Sequence, residues 1–255
     1  MRKFFAIASL LALTLSACTE EAPQSEPKGK GRVTINCVAV TEVDDTRANI
    51  SCATPAAEEF ALKIEGVSHT YSAEYASVAE FNADNYLNYG KYKATVVAGD
   101  ITEEGYGKVT FVGGEEFEVT ARQEGDVEVT AYIANALVKV EVTEAFERYF
   151  EGGYQLKLTT AGENEFDVTA QTEPIFIAPE SFTISGTGVK QPNQSGAEGL
   201  AVTLPEYTNE EVEAQTLYTV KLDVEKAGGA TLTISLNDTP VEKIEIEQEL
   251  NDNAK

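Results

Sequence analysis

The sequence predicts an all-β protein: two tandem antiparallel β-sandwiches carried behind an N-terminal leader and a short tether. Three observations predict it. Between residues 33 and 250 the chain breaks into short runs that alternate polar with apolar or β-branched residues and end at Gly, Asn, Asp or Pro, the pattern of antiparallel sheets with one wet face. Helical patterns are few and brief, which argues against alternating β and α units. Finally, 255 residues with 42% hydrophobic content, 11 Phe and 11 Tyr can fill real cores, and the runs outnumber the strands of one ordinary sandwich.

The leader comes first. Arg2 and Lys3 precede the apolar run FFAIASLLALTL (4–15), and the small residues Ser16 and Ala17 follow it. The run is too short to span a bilayer and has the layout of a secretory signal, assigned to residues 1–17. Residues 18–30, CTEEAPQSEPKGK, continue no helical apolar pattern and read as a solvated tether. Leu15-Ser16-Ala17-Cys18 resembles a bacterial lipobox, in which the cysteine thiol takes a diacylglyceryl group and becomes the first residue of the mature chain. At about 0.8 kcal/mol per buried CH₂, a triacylated Cys18 is expected to hold the protein on the outer membrane. Glu20 and Glu21 resemble the Bacteroidota signal that sends lipoproteins to the cell surface.

The first sandwich is assigned to residues 31–133. Its strands are VTINCVAV (33–40), ANISCA (48–53), FALKIEGV (60–67), KYKATVVAG (91–99), KVTFVG (108–113), EEFEVTA (115–121) and DVEVTAYI (126–133), with SVAEFNADNYL (77–87) as a helical crossover. A two-residue turn at Asp44-Asp45 would set Cys37 opposite Cys52, with Ile35 opposite Thr54 and Ala39 opposite Ile50. Directly opposed side chains lie within disulfide reach, and an exported protein meets an oxidising compartment, so a Cys37–Cys52 bridge is expected over two buried free thiols.

A boundary at Ala134-Asn135 opens the second sandwich, residues 134–250, and leaves 251–255 as a disordered tail. Its strands are ALVKVEVT (136–143), YQLKLTT (154–160), FDVTAQT (166–172), SFTISGT (181–187), GLAVTLP (199–205), TLYTVKLDVE (216–225), ATLTISLN (230–237) and EKIEIEQEL (242–250). EAFERYF (144–150) and NEEVEAQ (209–215) read as brief helical crossovers, since helices this short are marginal alone. The glycine pairs at 113–114, 152–153 and 228–229 read as turns between strands.

Charge and motif content narrow the function. Lys and Arg number 19 against 43 acids, for a net charge of -24, and such a surface repels nucleic acid phosphates and anionic headgroups. His69 is the one histidine, which leaves no histidine metal cluster and no Cys-His pair, and HExxH, GxSxG and GxxxxGK[ST] are all absent. No enzyme activity, cofactor or metal site is therefore expected, although loops such as 100–105 hold carboxylates suited to calcium. Six tyrosines fall within residues 71–106. Tyr75, Tyr86, Tyr89 and Tyr106 are the candidate binding surface, and a structural plug at the end of the core is the plainer reading of the same cluster. Gly90 and Tyr92 resemble the G-x-Y turn of transthyretin-like sandwiches: the glycine permits a tight turn, and the ring covers the core while its hydroxyl reaches a loop backbone.

Gly31-Arg32-Val33-Thr34-Ile35 and the stretches 75–100, 103–142 and 144–160 together resemble a domain-of-unknown-function family (DUF4493 type) of Bacteroidota surface lipoproteins, itself loosely similar to fimbrillin-type subunits. The resemblance implies a lipid-anchored pair of immunoglobulin-like or transthyretin-like sandwiches. It supplies no site. The expected function is a non-catalytic surface binding or adhesion module whose ligand is a glycan or a protein; the alternative is a subunit of a fimbria-like assembly.

Overall fold

A computed structural model describes residues 29–43, 52–190, 199, 201–226 and 230–245; the leader, Cys18, the tether up to residue 28 and the 251–255 tail lie outside them. The N-terminal half contains β1 (Lys30–Val40), β2 (Ala61–Gly66), β3 (Ser72–Tyr75), α1 (Val78–Ala83), β4 (Tyr86–Asn88), β5 (Gly90–Ala98), β6 (Phe111–Val119) and β7 (Glu124–Ile133). These seven strands make one sheet in the order β3-β2-β5-β6-β7-β1-β4. The sheet rolls so that Leu62, Ile64, Tyr92, Ala94 and Val96 on one wing share a core with Val33, Ile35, Val129 and Ala131 on the other. Alternate residues point inward, as the two-residue period of the sequence requires.

The C-terminal half contains β8 (Ala136–Val142), α2 (Glu144–Tyr149), β9 (Tyr154–Thr160), β10 (Glu165–Asp167), β11 (Ile175–Ile177), β12 (Phe182–Val189), β13 (Ala201–Asn209), β14 (Leu217–Lys226), β15 (Ala230–Leu236) and β16 (Thr239–Glu245). They form a four-stranded sheet, β10-β9-β12-β13, and a five-stranded sheet, β11-β8-β14-β15-β16. Leu156, Leu158, Phe182 and Ile184 from the first meet Val138, Val140, Val220 and Leu222 from the second. The crossover α2 closes this core with Phe146, Tyr149 and Phe150, and Thr143 caps it by accepting from the Phe146 N–H at 3.2 Å. Asn237 and Asp238 both take positive φ, 46° and 61°, the two-residue hairpin turn that their types favour.

Several expectations need correction. The sandwiches are not wholly antiparallel: β1 runs parallel to β7 and β8 runs parallel to β14, so the first strand of each half lies beside a late one. Residues 108–113 and 115–121 are not two strands, because Gly113-Gly114 lies inside the single strand β6. The pair marks a close approach instead of a turn, and a Cβ on Gly113 would lie 2.8 Å from the Ala131 Cα of β7. Residues 209–215 form no helix beyond β13; the Tyr218 hydroxyl accepts from the Glu213 N–H at 2.8 Å and donates to the Glu211 carbonyl at 3.3 Å, fixing an irregular segment. Cys52 and Ala53 lie outside any strand, and the rest of 48–53 falls outside the described residues. Beyond its β4 pairing, the outer edge of β1 meets side chains: Asn82 accepts from the Ile35 N–H at 3.0 Å and donates to the Ile35 carbonyl at 2.8 Å, as a neighbouring strand would.

The expectation for the Gly90–Tyr92 turn agrees with the structure. Gly90 sits at φ +151°, a Cβ there would lie 2.9 Å from His69 Cε1, and Tyr92 is fully buried with its hydroxyl donating to the Asn88 carbonyl at 2.9 Å. Gly113 yields the sharper test. Gly113→Ala drives a methyl into the β7 backbone, which cannot swing aside, so it should cost about 3 kcal/mol by overpacking, read as a lower urea midpoint with an unchanged slope.

Candidate functional site

The tyrosines expected to form one surface are distributed over three places. Tyr86 on β4 is 54% exposed, and half-buried Tyr89 donates its N–H to the Gly29 carbonyl at 2.9 Å, so both stand where the chain enters β1. Strand β7 starts at this same end and runs away from it for 10 residues before the chain enters β8. At roughly 3.3 Å per residue, that puts Tyr86 and Tyr89 about 30 Å from the C-terminal half. Tyr75 lies on edge strand β3 with its ring 5.1 Å from Phe81, and its hydroxyl is 3.4 Å from that of Tyr71. Tyr71 in turn meets Tyr92 edge-on at 5.3 Å, and Tyr92 stacks on Phe117 at 5.7 Å. This inner group plugs the core. Tyr106 is 47% exposed at the junction with the C-terminal half, where burial first and the charges of Asp167 and Glu173 second raise its hydroxyl pKa.

Cys37 and Cys52 carry free thiols, against the expected bridge. The hairpin that would have opposed them does not form at Cys52, and β1 takes β7 as its partner from Arg32 to Val40. Both cysteines are half-buried against the N-terminal core. Burial pushes the Cys37 thiol up to about 11 and raises that of Cys52 in the same direction.

A polar joint binds the halves. Glu104, in the β5–β6 connection, accepts through one oxygen from the Thr160 hydroxyl and from Asn164 Nδ2 at 2.8 Å, and through the other from the Ala178 N–H at 2.7 Å. Beside it, Gly105 and Phe176 exchange backbone bonds of 2.9 and 3.1 Å. Phe176 and Leu137 of the second half are buried in the core of the first. On the far side of the joint, the fully buried Asn135 accepts from the Thr110 N–H at 2.6 Å, and its own carbonyl accepts from the Gln215 N–H at 2.8 Å.

Past the joint, the outer face of β10-β9-β12-β13 forms a trough of about 570 Å³. Gln155 and Lys157 on β9 and Ser185 and Thr187 on β12 line its floor, with Asp167 on one side and Glu206 on the other. Its β13 wall is irregular. Ile184 pairs with Tyr207 and Gly186 with Leu204, so Pro205 and Glu206 together oppose Ser185 and β13 bulges. Proline is suited to that place, an edge strand at a bulge, where no ladder N–H is required. Nothing in the sequence pattern flagged the trough, because its residues read as the ordinary wet positions of alternating strands. Among the described residues no three His, Cys, Asp or Glu side chains gather as a metal would need, and no helix is long and apolar enough to cross a membrane.

The family model for the domain of unknown function DUF4493 matches residues 29–252. The chain belongs to that family. No curated protein matches the DUF4493 chain. Among solved structures, the fimbrial anchor protein Mfa2 from Porphyromonas gingivalis shares 11% identity with it at a TM-score of 0.43, covering 84% of this chain and 99% of that one. A proposed cell adhesion protein from Bacteroides eggerthii shares 9% identity at 0.44, covering 82% and 95%. A proposed adhesin from Bacteroides ovatus shares 8% identity at 0.42, covering 86% and 96%. Overlaps this loose carry no argument about the site.

Two outcomes test this geometry. Glu104→Ala leaves three donors at the joint without their acceptor and should cost about 2–3 kcal/mol, with the single calorimetric transition splitting or broadening as the halves lose register. For Cys37, a folded-state pKa above the unfolded one means the stability contribution is complete below the ordinary thiol range and is lost as pH rises toward about 11. The urea midpoint of the wild type should therefore fall more steeply across that window than that of Cys37→Ala.

Proposed function

We propose that this DUF4493 protein is a lipid-anchored module of the outer membrane surface that binds or adheres to a ligand without catalysing a reaction. The observation that carries the reading is Leu15-Ser16-Ala17-Cys18 at the end of a secretory-type apolar run, with an acidic tether behind it. Cys18 takes the lipid, and a tether of this length reaches at most about 40 Å. The first described strand starts at the end of the N-terminal half opposite the joint, so the tether emerges on the side of Tyr86 and Tyr89. In the anchored protein those two tyrosines face the membrane, and the C-terminal half is held outward.

That arrangement supports a presentation role, in which loops and sheet faces on a rigid β scaffold carry recognition. The lack of a histidine pair or a catalytic motif in the sequence agrees with a non-enzymatic role. A fimbria-like subunit is the lesser reading, because an assembly by strand release needs a loosely held first strand. Here β1 is held by nine register pairs with β7 and by Asn82 on its other edge.

The test uses cells fed a clickable palmitate and then shaved with protease. The wild type should take up label and be cut from intact cells, and Cys18→Ala should take up none. Equal labelling of the two forms refutes the anchor, protection of the wild type from protease refutes surface display, and turnover of a polysaccharide or peptide by the purified mature chain refutes the non-catalytic reading.

A further inference from the structure

The trough on β10-β9-β12-β13 has the chemistry of a polyol site. Its volume of about 570 Å³ falls within the range of roughly 300–1,000 Å³ usual for ligand sites. Gln155, Ser185, Thr187 and Thr203 present amide and hydroxyl groups that both donate and accept, as sugar hydroxyls do. The charges there are largely engaged within the protein. Lys157 is held by Glu165 at 2.7 Å, and Asp167 accepts from the Thr169 N–H at 2.9 Å. With the carboxylates Glu165, Asp167 and Glu206 against one ammonium, the trough repels an anionic ligand.

A half-exposed aromatic residue, Tyr106, follows a loop glycine that approaches the β10 edge of the trough, though its ring is not among the lining residues. Gly105 is bridged to Phe176, and a Cβ on Gly105 would lie 3.6 Å from Cε1 of Phe166, which itself lines the trough. The next residue is Tyr106, set by this joint on the Asp167 side, and the Asp167 charge is felt at its hydroxyl. A half-exposed ring beside a field of hydroxyl and amide groups suits a sugar, whose C–H face packs on the ring while its hydroxyls bond sideways.

We propose that this trough, with Tyr106 at its β10 side, binds a neutral oligosaccharide. The proposal deepens the surface-binding reading and rests on it: the trough lies on the half held away from the membrane, where a chain arriving from outside meets it first. Of the four tyrosines that the sequence singled out, only Tyr106 belongs to this site.

The experiment is calorimetric titration of the full mature protein, purified from membranes in detergent, with the hexasaccharides of mannose, glucose, xylose and galactose, and with hexagalacturonate and hexalysine. At least one neutral hexasaccharide should bind with an affinity that salt barely changes. Tyr106→Ala and Thr187→Arg should each weaken it about tenfold or more while leaving the unfolding temperature unchanged, and Glu118→Gln, on the outer face of β6, should leave it intact. Silence from every neutral hexasaccharide overturns the proposal, as does binding that both variants retain, or salt-sensitive binding of hexalysine alone. Protease shaving reads surface display independently, so a failed trough is distinguishable from a failed surface assignment.

Discussion

The architecture depends on one carboxylate. Glu104 stands in a connection of the first half yet bonds to Thr160, Asn164 and Ala178 of the second, across 56, 60 and 74 residues of chain. Two β-sandwiches on one chain are ordinarily free to move against each other unless a large or apolar interface holds them. Here the polar clasp lies beside an apolar one, since Phe176 and Leu137 belong to the core of the first half. Asn135 then ties the linker to Thr110 and Gln215, so the turn from β7 into β8 is fixed from both sides. These contacts hold the two halves against each other at one junction, with the start of β1 at the far end of the first half and the polar trough on the second.

That rigidity gives the acidity a place in the account. A chain with net charge -24 is repelled by an anionic membrane surface, and in the lipid-anchored arrangement we propose, a stiff joint would turn that repulsion into a standing orientation. Under the same proposal, a flexible joint would let the second half fold back toward the lipid and cost the trough its access. The surface ion pairs contribute little to this stiffness, because pairs such as Arg148–Glu144 and Lys108–Glu103 are well exposed and are worth about 0–1 kcal/mol each.

Much of the fold was legible because alternation with period two is a local signal. The strands 154–160 and 136–143 could be read almost to their ends, and so could the brief α2. Three-residue strands such as β4 and β11 left no such trace, since three residues cannot establish a period. The glycines at 113–114 misled for a physical reason: a turn and a close strand crossing both select for a missing Cβ, and only the Ala131 backbone decides between them. The parallel pairs β1/β7 and β8/β14 join residues about ninety and about eighty apart, beyond what any local pattern encodes. The tyrosine cluster shows the same limit at the level of the site. Closeness in sequence suggested one surface, but Tyr92 went inward, Tyr86 went to the end where β1 begins and Tyr106 went to the joint. The trough was illegible because its residues occupy ordinary wet positions of strands, and the bulge at Pro205-Glu206 beside it shows only in the pairing register.

The rigid joint is the claim on which the orientation and the outward trough both stand. It is tested most directly by pulsed electron resonance between nitroxides on cysteines placed at positions 118 and 208, on the outer faces of β6 and β13, in a chain that starts after Cys18 and carries Cys37→Ala and Cys52→Ala. One rigid body predicts a single narrow distance distribution that does not change with temperature or salt. A broad or multiple distribution would mean that the halves hinge freely, and the account would fail at its base.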